Sequence, residues 1–217
     1  MSGTLSVFTW ELGPFAERTV VLADPTTRQV LVVDPGFEMS RVIAAIREAD
    51  LRPVGIVLTH AHLDHAAGAA EVRRAFPEAC LWVHPDDLPL LEGLAEQARL
   101  FGFPEPEPVR CDGLLEDGQR LAVGGLEVEV RHCPGHSPGH VVLLWHDAER
   151  PLAVVGDVLF SNGVGRTDLW GGSWNDLERS IRTVLYTLPD RTRVIPGHGP
   201  ETTIGEEKAS NPFVAGA

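Results

Sequence analysis

Residues 59–65 read Thr-His-Ala-His-Leu-Asp-His, and they follow directly on the apolar run Gly55-Ile56-Val57-Leu58. On an α-helix, residues two apart face different sides, so His60 and His62 could not serve one ion there; on an extended segment they point the same way. The spacing therefore predicts a buried strand that ends in a loop, with His60 and His62 side by side. Asp64 and His65 then open the next element, where Asp64 is expected as a helix cap.

The same arrangement returns three times. Each further His or Asp stands where a strand-like run gives way to a Gly or Pro turn: EVEVRHCPGH leads into His136, LAVVGD ends on Asp157, and RVIPGH ends on His198. Strand ends in layered α/β domains gather at one edge, where their sites usually lie. The pooled donors are five of the nine histidines and two aspartates. Imidazole with carboxylate suits zinc, iron or manganese; calcium prefers oxygen alone. Seven donors exceed one tetrahedral zinc and suit two divalent metals that share a carboxylate. Zinc is the first expectation, with iron or manganese as alternatives. Two such ions, ~3.5–4 Å apart, could hold a bridging hydroxide and polarise a carbonyl.

The remaining histidines read as ordinary. His84 precedes Pro85 at a strand end, and His132 and His146 flank strands. His140, close to His136, is a candidate hydrogen-bond partner for a ligand. Cys133 reads as a small side chain packed in a turn.

The chain has 217 residues, enough for one domain over residues 1–217, and a hydrophobic content of 43% supports a substantial core. Its formal net charge of -13 argues against nucleic acid and against an anionic membrane surface as partners. No apolar stretch approaches the ~20 residues of a membrane span. MSGTLSVFTW shows no basic region followed by an apolar one, and Cys80, Cys111 and Cys133 are odd in number and widely spaced. A cytoplasmic protein with reduced thiols is the expectation.

Strand-like runs are expected at 5–8, 19–22, 30–33, 81–83, 126–131, 140–146, 152–156 and 193–195, and helices at 38–49, 66–76, 86–100 and 174–187. The Pro-rich, acidic stretch 101–118 reads as a surface loop that could act as a lid. Strands grouped between helices in this order suggest a layered α/β domain.

The ligand pattern resembles the metallo-β-lactamase superfamily, whose signature is His-x-His-x-Asp-His followed by distant His, Asp and His. The resemblance runs from about Asp34, in VVDPG, to His198. It implies an αββα sandwich of two mixed β-sheets flanked by helices, with the metal site at one edge. By that resemblance His60, His62 and His136 bind a first metal, Asp64, His65 and His198 a second, and Asp157 bridges them. Asp64 and Asp157 are then the two carboxylates of the catalytic centre. Zinc-type β-lactamases often have cysteine in place of Asp157, which disfavours antibiotic hydrolysis.

GDVLFSNGVGRTDLWGGSW, GHGPETTIGEEK and NPF look like the short bacterial relatives of glyoxalase II, the hydroxyacylglutathione hydrolases. Such enzymes cleave a small-molecule thioester of the S-lactoylglutathione type. Arg166 and Asp168 belong to the GRTD pattern; they are expected to brace the loop after Asp157, with substrate contact by Arg166 as the alternative. Asp34 resembles a position that supports the ligands, although turn formation alone also explains DPG. Full-length glyoxalase II carries a C-terminal helical domain with basic and aromatic residues that hold glutathione. Nineteen residues follow His198 here, with one Lys and no Tyr among them. A rival with the same signature is a persulfide dioxygenase, with one iron on His60, His136 and Asp157. A metal-binding domain without turnover is a third reading. The oligomeric state is not legible.

Overall fold

A computed structural model describes residues 4–216. The chain divides into two compact units, one of residues 1–115 and 121–127, the other of 116–120 and 128–217. Each has its own apolar core.

In the first unit the chain runs β1 (Ser6–Leu12), β2 (Glu17–Ala23), β3 (Gln29–Val33), α1 (Ser40–Glu48), β4 (Arg52–Val57), α2 (Leu63–Ala66), α3 (Ala69–Ala75), β5 (Cys80–Val83), α4 (Leu88–Glu92), α5 (Leu94–Phe101), β6 (Gly113–Leu114) and β7 (Arg120–Val123). Strands β1 to β6 lie in chain order in one mixed sheet: β1, β2 and β3 pair antiparallel, and β3, β4, β5 and β6 pair parallel. Every residue of β2 is buried, as is usual for strands covered on both faces. Helix α1 turns Val42, Ile43 and Ile46 inward, the helical spacing legible in the sequence. These side chains join Val32, Ile56 and Leu81 in one core.

The second unit continues with β8 (Leu126–His132), β9 (Val141–Trp145), β10 (Leu152–Gly156), β11 (Leu159–Phe160), β12 (Gly163–Val164), α6 (Trp174–Thr183), β13 (Arg193–Pro196), β14 (Thr202–Thr203) and α7 (Ile204–Ser210). Its main sheet runs β14-β13-β10-β9-β8, with one parallel pair, β10 and β13, among antiparallel ones. Leu177 and Ile181 of α6 pack with Val142, Val155 and Val194. Strands β11 and β12 form a separate hairpin. Among the described residues, no helix is long and apolar enough to cross a membrane.

Several expectations need correction. The helix expected at 66–76 is two helices, α2 and α3, and α2 starts at Leu63. Asp64 therefore sits in the first turn and is not the cap; His62, with extended backbone, holds that position. The first helical N–H, that of Leu63, is taken by the Gln97 side chain at 2.9 Å, so no local side-chain cap is needed. The helix expected at 86–100 breaks at Gly93 into α4 and α5. The stretch 101–118 is the expected loop, mostly exposed, with only Phe101 in α5 and the short β6 as regular structure; within it Asp112 accepts the Leu81 N–H at 2.7 Å, Glu105 pairs with Arg99, and Phe103 packs at a tilt against Phe15 and Phe37. The helix expected at 174–187 ends as an α-helix at Thr183 and continues as a short 3-10 turn.

Candidate metal centre

In the first unit the site grows from the ends of two neighbouring parallel strands. Val33 of β3 pairs with Val57 of β4, so Asp34 and Thr59 leave the sheet at the same end. Asp34 adopts a left-handed φ of 49°, tolerable for aspartate, and its carboxylate turns back onto the loop. It accepts the Thr59 N–H and O–H, each at 2.6 Å, and the His65 Nδ1–H at 3.0 Å. Having given its proton to Asp34, the Thr59 hydroxyl can only accept from His60 Nδ1, 3.1 Å away. One carboxylate thus fixes the proton of His65 directly and that of His60 through Thr59.

The rings converge. His60 stands edge-on to His62 with centroids 4.7 Å apart, and His60 and His65 are 4.1 Å apart. All three are buried, Asp64 is half-buried, and Asp64 Oδ2 lies 3.9 Å from His65 Nε2. Gly36 permits this crowding, because a Cβ there would come within 2.1 Å of the Asp64 carbonyl and 2.5 Å of Glu17 Oε2.

In the second unit His136, Asp157 and His198 come together. His136 donates its Nδ1–H to the Arg166 carbonyl at 2.8 Å. Its Nε2 faces Asp157 Oδ2 at 3.5 Å, and His198 Nε2 faces the same oxygen at 3.7 Å. His140, fully buried, accepts the Asp157 N–H on its Nε2 at 3.1 Å, which places its proton on Nδ1. Arg166 and Asp168 form a two-point pair at 2.7 and 2.8 Å on the surface. The guanidinium holds the Asp168 carboxyl down to about 2. The guanidinium is thus paired within its own loop, and the Arg166 backbone carbonyl accepts from His136.

This chemistry fits divalent metal. Distances of 3.5 and 3.7 Å are too long for hydrogen bonds. They match the ~3.4 Å that separates two donors each ~2.1 Å from one tetrahedral ion. His60, His65 and His136 all spend Nδ1 on protein partners, which leaves Nε2 as the basic nitrogen, the usual arrangement behind a ligating imidazole.

The other histidines keep ordinary roles: His84 caps a 3-10 turn, His132 bonds the Pro138 carbonyl, and His146 pairs with Glu129. Cys133 is buried and its thiol is pushed far up by burial, as suits a packing side chain; all three cysteines are free thiols. Sequence reasoning missed Thr59, Gln97, Asp87 and Glu17. Glu17 is fully buried, with Oε1 3.7 Å from His65 Nδ1. It opens β2 next to Arg18 and Thr19, ahead of the apolar run 20–23, so no sequence pattern sets it apart.

A model of the metallo-beta-lactamase superfamily matches residues 12–198. The hydroxyacylglutathione hydrolase GloC of Haemophilus influenzae is 41% identical over 188 residues, covering 86% of this chain and 88% of that protein. Among solved structures, the BLEG-1 B3 metallo-beta-lactamase superposes with a TM-score of 0.88 at 36% identity, covering 97% of this chain and 100% of the other. The di-iron-bound form of TTHA1623 gives 0.84 at 40% identity, covering 95% and 99%. The two mixed sheets flanked by helices are the expected fold. The chain belongs to the metallo-β-lactamase superfamily.

Proposed function

We propose that this protein is a metal-dependent thioesterase that hydrolyses hydroxyacyl thioesters of the S-lactoylglutathione type. The observation that carries this reading is its 41% identity, over 86% of the chain, to a hydroxyacylglutathione hydrolase. In support, every residue of the superfamily's ligand signature is present. By that signature His60, His62 and His136 hold one ion, Asp64, His65 and His198 hold another, and Asp157 is shared.

Two bound divalent cations supply an activated water at neutral pH and a Lewis acid for the thioester carbonyl. The chain's own residues set up that chemistry. Asp34 and Thr59 fix the protons of His65 and His60 on Nδ1, and the Arg166 carbonyl does the same for His136. Asp157 brings the negative charge that two neighbouring cations require, and His140 holds its backbone. The Arg166–Asp168 pair keeps the loop after Asp157 in shape.

A second reading, a one-iron dioxygenase acting on a persulfide, is favoured by one observation: ETHE1 from Myxococcus xanthus superposes with a TM-score of 0.80 at 28% identity, covering 97% of this chain and 84% of the other. The likeness to BLEG-1 also weakens the case that Asp157 makes against β-lactam hydrolysis. Three assays on one metal-loaded preparation separate these readings: S-lactoylglutathione hydrolysis, oxygen uptake with glutathione persulfide, and cleavage of a chromogenic cephalosporin. Thioester turnover that collapses in His65→Ala supports the proposal. Oxygen uptake retained in His65→Ala, without thioester turnover, would replace it with the dioxygenase.

A further inference from the structure

The peptide groups on either side of His62 are held by one side chain from a distant helix. Gln97 of α5 is buried, and its carboxamide reaches across 34 residues to the loop. Its Oε1 accepts the Leu63 N–H at 2.9 Å, while its Nε2 donates to the Ala61 carbonyl at 3.1 Å and the Leu90 carbonyl at 2.9 Å. Only one orientation of the amide satisfies these three partners. The N–H of Ala61 is taken separately by Asp87 Oδ2 at 3.0 Å, and Asp87 is fully buried.

The Ala61 carbonyl and the Leu63 N–H flank a single residue and point to one side of the chain when that residue is extended. His62 is extended, at φ -73° and ψ 154°. Gln97 therefore does for His62 what a neighbouring strand does in a ladder: it fills both groups at once and holds the residue between them extended. The break at Gly93 contributes, since α4 ends there and its Leu90 carbonyl is within reach of the amide. A rigid support of this kind fixes where a ligand side chain starts and so where its nitrogen arrives.

We infer that Gln97 is a positioning residue for His62: it presets the extended backbone from which this imidazole reaches the metal. The inference rests on the metal-centre reading given above. It requires a group that donates and accepts together. Glutamate has the same shape but turns carboxylate oxygen toward two carbonyls, and leucine offers neither function.

The test uses the full chain with Gln97→Glu and Gln97→Leu. Zinc affinity is read by competition with a chromogenic chelator, and the cobalt(II) visible spectrum reports the ligand field. Both variants are expected to bind zinc about 10–100-fold more weakly, as losses of ligand-supporting groups typically do, with the larger loss for Gln97→Glu and shifted cobalt bands in both. In wild-type protein, the Gln97 side-chain amide resonances are expected to move as zinc is added; this measurement decides the matter if the variants do not fold. Zinc affinity within about threefold of wild type, about 0.65 kcal/mol, with unchanged cobalt bands, would overturn the assignment. So would a Gln97 amide that zinc leaves unmoved. Wild-type protein that takes up no zinc would overturn the metal-centre reading, and this inference with it; normal uptake by wild type and variants alike would overturn the Gln97 role alone.

Discussion

His65 donates its Nδ1–H to Asp34 Oδ2 at 3.0 Å, and both are buried. The carboxylate decides which imidazole nitrogen keeps its lone pair. In Asp34→Asn the amide can present N–H to His65 Nδ1, which favours the tautomer with its proton on Nε2, where a metal would bind. Asparagine tolerates the left-handed φ of 49° at this position, so the fold should survive. Zinc affinity is expected to fall about 10–100-fold, with the zinc-free melting temperature changing little. Chelator competition and thermal melting on one preparation check both halves. Unchanged affinity would reduce Asp34 to a turn residue.

Asp157 Oδ2 faces His136 Nε2 and His198 Nε2 at 3.5 and 3.7 Å. In Asp157→Asn a neutral amide replaces the charge shared between two cations, while the shape is almost kept. Thioester turnover should drop by at least about a hundredfold, roughly 2.7 kcal/mol of transition-state stabilisation. Circular dichroism should be unchanged. Activity within about threefold of wild type would remove Asp157 from the mechanism.

Glu207, buried on α7, collects three donors: the Thr202 hydroxyl at 2.6 Å, the Asn211 amide at 2.8 Å and the Asn162 N–H at 3.0 Å. Asn211 also bonds the Gly163 carbonyl, so α7 pins the β11–β12 hairpin at two points. Glu207→Ala strands the buried Thr202 hydroxyl and Asn211 amide and should cost about 2–4 kcal/mol of stability. Urea unfolding with an unchanged m-value would show it; a change under about 0.5 kcal/mol would mean that water replaces the carboxylate without loss.

The candidate metal-binding residues stand out in the sequence mainly where they follow a strand: period-two spacing at His60 and His62, and Gly or Pro turns before His136 and His198, whereas Asp64 and His65 lie in α2. Their supports do not. Thr59 matters through a hydroxyl relay that depends on which strands are neighbours, and Gln97 lies 34 positions from the Leu63 N–H it accepts. Pattern reading has no access to pairing between strands or helices so far apart. Short elements escaped for a different reason. The hairpin of β11 and β12 has two residues in each strand, too few for any periodicity. Helix α7 did leave a signal, since Thr203 and Glu206 form a capping box three residues apart.

Substrate range follows from the engagement of Arg166 with Asp168 and from the strongly negative net charge of -13. Glutathione carries two carboxylates, and a dedicated pocket would meet them with fixed guanidinium or ammonium groups. A permissive thioesterase is expected, with catalytic efficiency for a neutral lactoyl thioester within about tenfold, or ~1.4 kcal/mol, of that for S-lactoylglutathione. A hundredfold or greater loss, about 2.7 kcal/mol, would reveal a glutathione pocket.

The central claim is that thioester hydrolysis depends on two metals held by these seven side chains. Titrating zinc into metal-free protein, with S-lactoylglutathione turnover followed at each addition, tests it most directly. The account predicts no turnover without metal and a rise that reaches its plateau at about two equivalents per chain. Turnover in the metal-free protein, or full activity already at about one equivalent, would contradict it.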